Sequence, residues 1–422
     1  MRSRYLFPLV LWAAGPVNAA QWLPDADFEV SLEYREFLQQ PWLDDQPERG
    51  VSVYGLGDMA WDTGDSSRLT FKPFYRYDSE DSERTHGDIR ELQFQWWGSS
   101  WEVRAGIGKV FWGVTESLHL VDVINQTDQV EAVDGEDKLG QPMLHGIWLH
   151  DAGTLEAFVL PYFRERTFSS EDGRPSALLP VKSAVYQSSD KENHIDLALR
   201  WSRSFEIDGW PLDISADIFS GTSRQPFLLP DITLVDGNPL VSGLRPYYPQ
   251  VTEAGMTLQH TVGSWLWKLE ALHRDYDASA QQVAEDAGNE TLQDHQAMVG
   301  GFEYTLVGPF GDCCDSPLDL GILMEYQGDL RSEEGGLAQN DLFVGTRWAF
   351  NDADSSEVLV GFTQDLDYSG SRSLMVEAST RMTSFSTMSL NLWWFAADNR
   401  EDEVLYSIRQ DDFVELSYTV FF

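Results

Sequence analysis

The chain has 422 residues, 29 Lys and Arg against 69 Asp and Glu, a formal charge of −40, and a polar mean hydropathy of −0.33 despite 16 Trp, 15 Tyr and 23 Phe. That charge excludes nucleic-acid binding and adhesion to anionic surfaces, both of which need basic patches. Only Cys313 and Cys314 are present, so disulfides do not hold the fold together. The adjacent pair reads either as a strained vicinal disulfide or as two separate thiols in a turn, and neither reading carries function.

Taken in chain order, Arg2 and Arg4 precede an apolar run from Tyr5 to Ala14, and Val17-Asn18-Ala19 supplies small residues for cleavage. This is the order of a secretory signal peptide, expected over residues 1–19 with Ala20 as the fallback site. Its apolar core, about ten residues, is too short to span a bilayer as a helix, and no other window approaches the roughly 18 apolar residues of a membrane helix. No Cys follows the cleavage site, so no lipid anchor is expected.

Residues 20–422 read as one β-domain. Side chains in a strand alternate between two faces. Phe28, Val30, Leu32 and Tyr34 share a face of the first strand, 27–37. Strands follow at 49–61, 67–77, 88–97, 100–110, 143–150, 154–164, 193–205 and 210–220. The second half adds 252–262, 264–274, 296–307, 317–328, 340–350, 356–366, 372–382, 386–396 and 412–422. Short turns such as Gly98-Ser99-Ser100, Asp151-Ala152-Gly153 and Val262-Gly263-Ser264 alternate with long loops near 111–142, 165–192, 221–251 and 275–295. That asymmetry and the even strand count are properties of barrels that cross the outer membrane. The last strand ends on Phe422, with Val420, Tyr418, Leu416 and Val414 on the same face. It is expected to close the barrel against 27–37 and to be read by the barrel-assembly machinery. The fold expected is all-β: a transmembrane, antiparallel, up-and-down β-barrel of about 18 strands, with 16 as the alternative.

If apolar residues face lipid, their neighbours face inward, because Arg or Lys on the lipid face costs about 2–4 kcal/mol at mid-bilayer. Arg68, Lys72, Arg76, Arg104, Arg164, Arg200, Lys268, Arg274, Arg347 and Arg381 are thereby expected to line a pore. Inward acids include Glu29, Glu33, Glu91, Glu102, Asp196, Asp213, Asp217, Glu270, Asp319, Glu325 and Glu377. Two readings stand: a wet channel whose basic ladder guides anionic or polar solutes, or an interior of salt bridges that keeps the barrel rigid. Acidic clusters in the loops serve solubility or bind divalent cations that bridge lipopolysaccharide.

Loop 111–142 contains the apolar run Leu118-His119-Leu120-Val121-Asp122-Val123-Ile124, which would be costly if exposed. It either folds into the lumen as a constriction, with Trp112, Asp122, Asn125 and Asp128 at the narrowing, or packs on the barrel rim. The pattern Gly108-Lys109-x-x-Trp112-Gly113, followed by Asp122-Val123-Ile124-Asn125-x-x-Asp128, resembles a motif of uncharacterised porin-like outer-membrane β-barrel families of proteobacteria. Leu160-Pro161-Tyr162-Phe163-Arg164-Glu165-Arg166, Pro246-Tyr247-Tyr248-Pro249 and Trp265-Leu266-Trp267-Lys268-Leu269-Glu270 resemble the same group. The likeness covers about residues 100–275 and implies a barrel of porin type, without supplying a solute. It departs at Gln126, where the family often has Pro, so that turn is expected to differ.

The eight His residues are scattered and show no metal-ligand spacing, and no Gly-x-Ser-x-Gly elbow or nucleotide motif stands out. His145 and His150, five apart, fall on opposite strand faces. No cofactor, metal or catalytic residue is expected. The function expected is non-enzymatic passive diffusion of small polar or charged solutes across the bacterial outer membrane, with its lipids and lipopolysaccharide as surroundings and a homotrimer as the porin-like assembly. The alternatives are an outer-membrane barrel hydrolase acting on lipid and a structural or surface-binding barrel.

Overall fold

The structure, a computed structural model, describes residues 25–422 apart from 177–178, 237, 288–291, 310–317, 332–338 and 401. The expected signal segment and Cys313 and Cys314 therefore lie outside the described residues. Eighteen strands form one sheet that closes on itself. They are β1 (Asp25–Phe37), β2 (Arg49–Gly64), β3 (Ser67–Asp78), β4 (Gly87–Trp97), β5 (Trp101–Gly108), β6 (Gln141–His150), β7 (Gly153–Leu160), β8 (Asp196–Ile207) and β9 (Trp210–Thr222). The second half comprises β10 (Gln250–Val262), β11 (Trp265–Tyr276), β12 (His295–Leu306), β13 (Asp319–Asp329), β14 (Asn340–Ala349), β15 (Glu357–Asp365), β16 (Arg372–Thr383), β17 (Ser386–Ala396) and β18 (Phe413–Phe421). Each pairs antiparallel with the next, and β18 pairs with β1 from Glu29↔Phe421 to Phe37↔Phe413. Closure satisfies the backbone donors and acceptors that an open edge would leave unpaired. Each strand expected from the alternation is present, with ends shifted by a few residues.

Tight connections gather at one end of the barrel. Asp208 and Gly209 adopt φ of 53° and 83° between β8 and β9, the left-handed geometry a two-residue hairpin requires. The connections 38–48, 109–140, 161–195, 223–249, 277–294 and 397–412 leave the opposite end, while one of twelve residues, 307–318, lies at the turn end. Four of the loop-end connections contain structure that period-two alternation does not reveal, beginning with Val185–Tyr186 of 161–195, which pairs in parallel with Tyr247 and Tyr248. Phe227–Val235 and Asn238–Tyr248 pair as a hairpin in 223–249. Helix α1 (Ala278–Asp286) packs Ala280 and Ala284 against Tyr247 and Leu292. Helix α2 (Glu403–Ile408) starts on Asp402, whose carboxylate accepts the Leu405 amide.

The two faces are sorted by polarity. Phe28, Val30, Leu32 and Tyr34 of β1 point outward and are exposed, whereas Ser31 and Glu33 between them are buried inside. Outward Trp96, Trp148, Trp210, Trp265 and Trp267 ring the turn end; Tyr34, Tyr75, Tyr77 and Tyr326 ring the loop end. Aromatic rings at both borders of an apolar band match the two membrane–water interfaces.

Candidate functional site: the lumen and its inward loop

Loop 109–140 does not cap the rim. It folds into the barrel and runs from one wall to the other. On the near wall, Trp112, Val121, Val123 and Ile124 are buried against Met143, Phe158, Leu160, Ala198, Phe219 and Val251 of β6–β10. Full burial contributes about 1.5–3 kcal/mol per large apolar side chain, so this cluster explains why the run folds inward. The loop's neck is stapled by Asn125, whose Oδ1 accepts the Val110 amide and whose Nδ2 donates to the carbonyls of Gly108 and Leu139. Asp122 accepts the amides of Trp112 and Gly113 at 2.7 and 3.2 Å.

Two wall carboxylates moor the far side. Glu270 on β11 accepts the amides of Val114 and Thr115 and the Thr115 hydroxyl on Oε1, and the amides of Leu120 and Val121 on Oε2. Glu325 on β13 accepts the amides of Glu116 and Ser117 and the Ser117 hydroxyl. Each takes backbone donors that would otherwise be unpaired in the lumen. Glu116 in turn bonds Arg347 at 2.6 Å and lies 3.7 Å from Lys268. Toward β1, β3 and β4, Asp128 bonds Arg90 at 2.6 Å and Glu131 bonds Arg76 at 2.7 Å.

Ionisation in the loop follows these contacts. Burial would raise Asp128, but His86, Arg90 and Thr167 hold it at about 2. Burial opposes protonation of His119, yet the carboxylates of Glu136 at 2.7 Å and Glu270 at 3.7 Å lift it to about 10. Asp134 is reached by water but enclosed by protein, and that enclosure together with Glu136 and Asp137 pushes it up to about 6.

The sequence-predicted site residues divide into groups. Arg68, Lys72, Arg76, Arg104, Lys268, Arg274 and Arg347 come from spanning strands, and each has a carboxylate in ion-pair range: Asp62, Asp58 and Glu91, Glu33 and Glu131, Glu102, Glu116, Glu253, and Glu116 respectively. Arg164 belongs to loop 161–195 and pairs with Asp88 at 2.9 Å. Arg200 stacks over the Trp112 ring at 5.1 Å and donates to the Ser215 hydroxyl, between its cross-strand neighbours Glu156 and Asp217. Arg381 is exposed at the turn end, without an ion pair among the described residues. Among the loop residues, Trp112, Asn125 and Asp128 are buried and hold the loop in place. Gln126, where the resembled family often has Pro, is buried, and its side-chain oxygen accepts the Thr127 amide. Exposed instead are Phe111 and the acidic cluster Asp134, Glu136 and Asp137, which the sequence reading assigned to solubility or divalent cations rather than to a narrowing.

A second loop closes part of the outer mouth. Arg174 of loop 161–195 is buried, pairs with Asp411 at 2.7 Å, donates to the carbonyls of Gln39, Pro47 and Gln410, and stacks on Phe37 at 4.2 Å. Alternation carries no signal for such a clasp, since its partners lie more than a hundred residues away.

A closed 18-strand barrel with an apolar outer band, two aromatic girdles and a charged interior is a transmembrane β-barrel of the bacterial outer membrane. No family model and no curated protein sequence matches the chain. Several solved structures are similar to it. OprB of Pseudomonas putida is 11% identical with a TM-score of 0.46, covering 96% of this chain and 95% of that one. OmpT, an outer-membrane protein of Vibrio cholerae described in trimer form, is 10% identical with a TM-score of 0.44, covering 94% and 99%. Wzi of Escherichia coli, described as an outer-membrane protein involved in group 1 capsule assembly and a carbohydrate-binding β-barrel, is 10% identical with a TM-score of 0.48, covering 94% and 84%.

Proposed function

We propose that this barrel is a non-enzymatic diffusion channel for small polar or charged solutes, narrowed by loop 109–140. One observation carries the reading: the loop spans the lumen on the Glu270 and Glu325 moorings while its acidic tip, Asp134 and Glu136, stays exposed to the lumen. A loop held by buried carboxylates narrows a passage without filling it. Solutes would pass between that tip and the wall that carries Arg347 and Glu377. The lumenal cations named from the sequence act here mainly as partners of carboxylates, giving a transverse field rather than a free basic ladder. Recognition of β18 by the assembly machinery, contact with lipopolysaccharide and a homotrimeric state belong to the same reading.

Reconstitution into planar bilayers tests the proposal. Stepwise conductance from purified, heat-modifiable protein is the expected result. A folded barrel that never conducts would sink it, and lipid hydrolysis lost on replacing one Ser or His would favour the enzyme alternative.

A further inference from the structure

We infer that the passage prefers small cationic solutes over anions, a conclusion that rests on the channel reading and specifies its substrate class. The argument is an asymmetry of pairing. Eight of the ten expected pore-lining cations have a carboxylate in ion-pair range, as given above. Of the other two, Arg200 is sandwiched between Glu156 and Asp217, and Arg381 lies at the turn end, away from the loop. The acids are not matched in return. Glu29, Glu303 and Glu377 lie on inward-facing positions of β1, β12 and β16 and have no ion pair among the described residues.

A second, independent observation comes from the wall behind the loop. Asp217 is more than nine-tenths buried, yet neither carboxylate oxygen has a hydrogen-bond partner. It lies against Gly255, across the ladder from Arg200, and the Nε of Arg200 is likewise unpartnered. A buried carboxylate with no donor is not solvated by the protein and calls for a proton, water or a cation. Near it, Glu325 is satisfied by amides and a hydroxyl, which disperse its charge without cancelling it, while Glu270 combines such bonds with His119 at 3.7 Å.

At the narrowing the imbalance is concentrated. Glu377 is within electrostatic reach of Asp134, Glu116 and Glu136 on the loop, with Arg347 as the nearby cation. Arg347 is already bonded to Glu116, and His119 is bonded to Glu136. Lys138 is within electrostatic reach of Asp134, and Glu377 and Asp134 are the acids left to face the passage. A carboxylate about 6 Å from an ion in water changes that ion's local population about threefold, and two such groups compound to about tenfold. Low-dielectric walls focus the field further.

The test is the reversal potential of the reconstituted full-length protein under a potassium chloride gradient. Potassium permeability several-fold above chloride is expected, and Glu377→Gln with Asp134→Asn should lower the ratio by about three- to tenfold while conductance steps persist. Should that pair of substitutions fail to give a heat-modifiable barrel, Glu303→Gln alone should lower the ratio by a smaller factor. Steps that are chloride-selective, or a ratio unmoved by folded variants, would overturn the cation preference and leave the channel standing. Absence of any steps would overturn the channel reading itself, so the two failures are told apart.

Discussion

Replacing Glu270 by Gln should loosen the lumenal loop without unfolding the barrel. The carboxylate accepts five hydrogen bonds from the loop, three on Oε1 at 2.7, 3.1 and 2.7 Å and two on Oε2 at 2.8 and 3.3 Å. An amide nitrogen in either position points a donor at donors. Two or three partners become unpaired, and with charge-assisted bonds contributing about 1.5–3 kcal/mol each the mooring loses about 3–6 kcal/mol for two of them. The opposing term is the cluster of Trp112, Val121, Val123 and Ile124 on the near wall. At about 1.5–3 kcal/mol per side chain it contributes about 6–12 kcal/mol, more than the mooring loses. The loop therefore stays inside while its segment around 114–120 becomes mobile. Single-channel recording should show larger current fluctuations and a shifted conductance, with heat-modifiable mobility unchanged. Wild-type noise and conductance in a folded variant would refute the reasoning. Glu325→Gln, which affects fewer donors and leaves the Glu116–Arg347 bond in place, should produce a smaller effect.

The mouth clasp offers a second test: Arg174→Ala leaves Asp411 without its buried partner, a change of about 3–5 kcal/mol, and should make loop 161–195 sensitive to added protease while the barrel still folds. Strand phase can be checked at the seam. Leu32→Arg, on the outward face, should cost about 2–4 kcal/mol in a vesicle folding titration, whereas inward Thr419→Arg should cost under about 1 kcal/mol; equal losses would contradict the phase. A pH effect follows from Asp134. Because its folded value is raised to about 6, it is ionised above that pH and loses its negative charge as pH falls through it. Cation preference should accordingly weaken between pH 7.5 and pH 5, and Asp134→Asn should flatten that change; the same slope in the variant would place the titrating group elsewhere.

The strand ladder was legible in the amino-acid order because it depends on local periodicity. Phe28, Val30, Leu32 and Tyr34 declare the face and phase of β1 within seven residues, and Val414 to Phe422 do the same for β18. Charges such as Arg76 and Glu33 could be assigned inward for the same reason, since lipid forbids the other phase. The apolar run at 118–124 also announced that its loop would be covered. Which wall covers it, and which side chains hold it, was a different kind of question. Glu270 meets Leu120 from 150 positions away, and Arg174 meets Asp411 from 237. Alternation says that a carboxylate points inward but not whether it meets an arginine, a row of amides or water. Closing the sheet into a cylinder decides that, because only then do β11, β13 and β14 stand opposite the loop that leaves β5. The sequence by itself determined the wall; the cylinder decided which charges are cancelled and which remain to meet a solute.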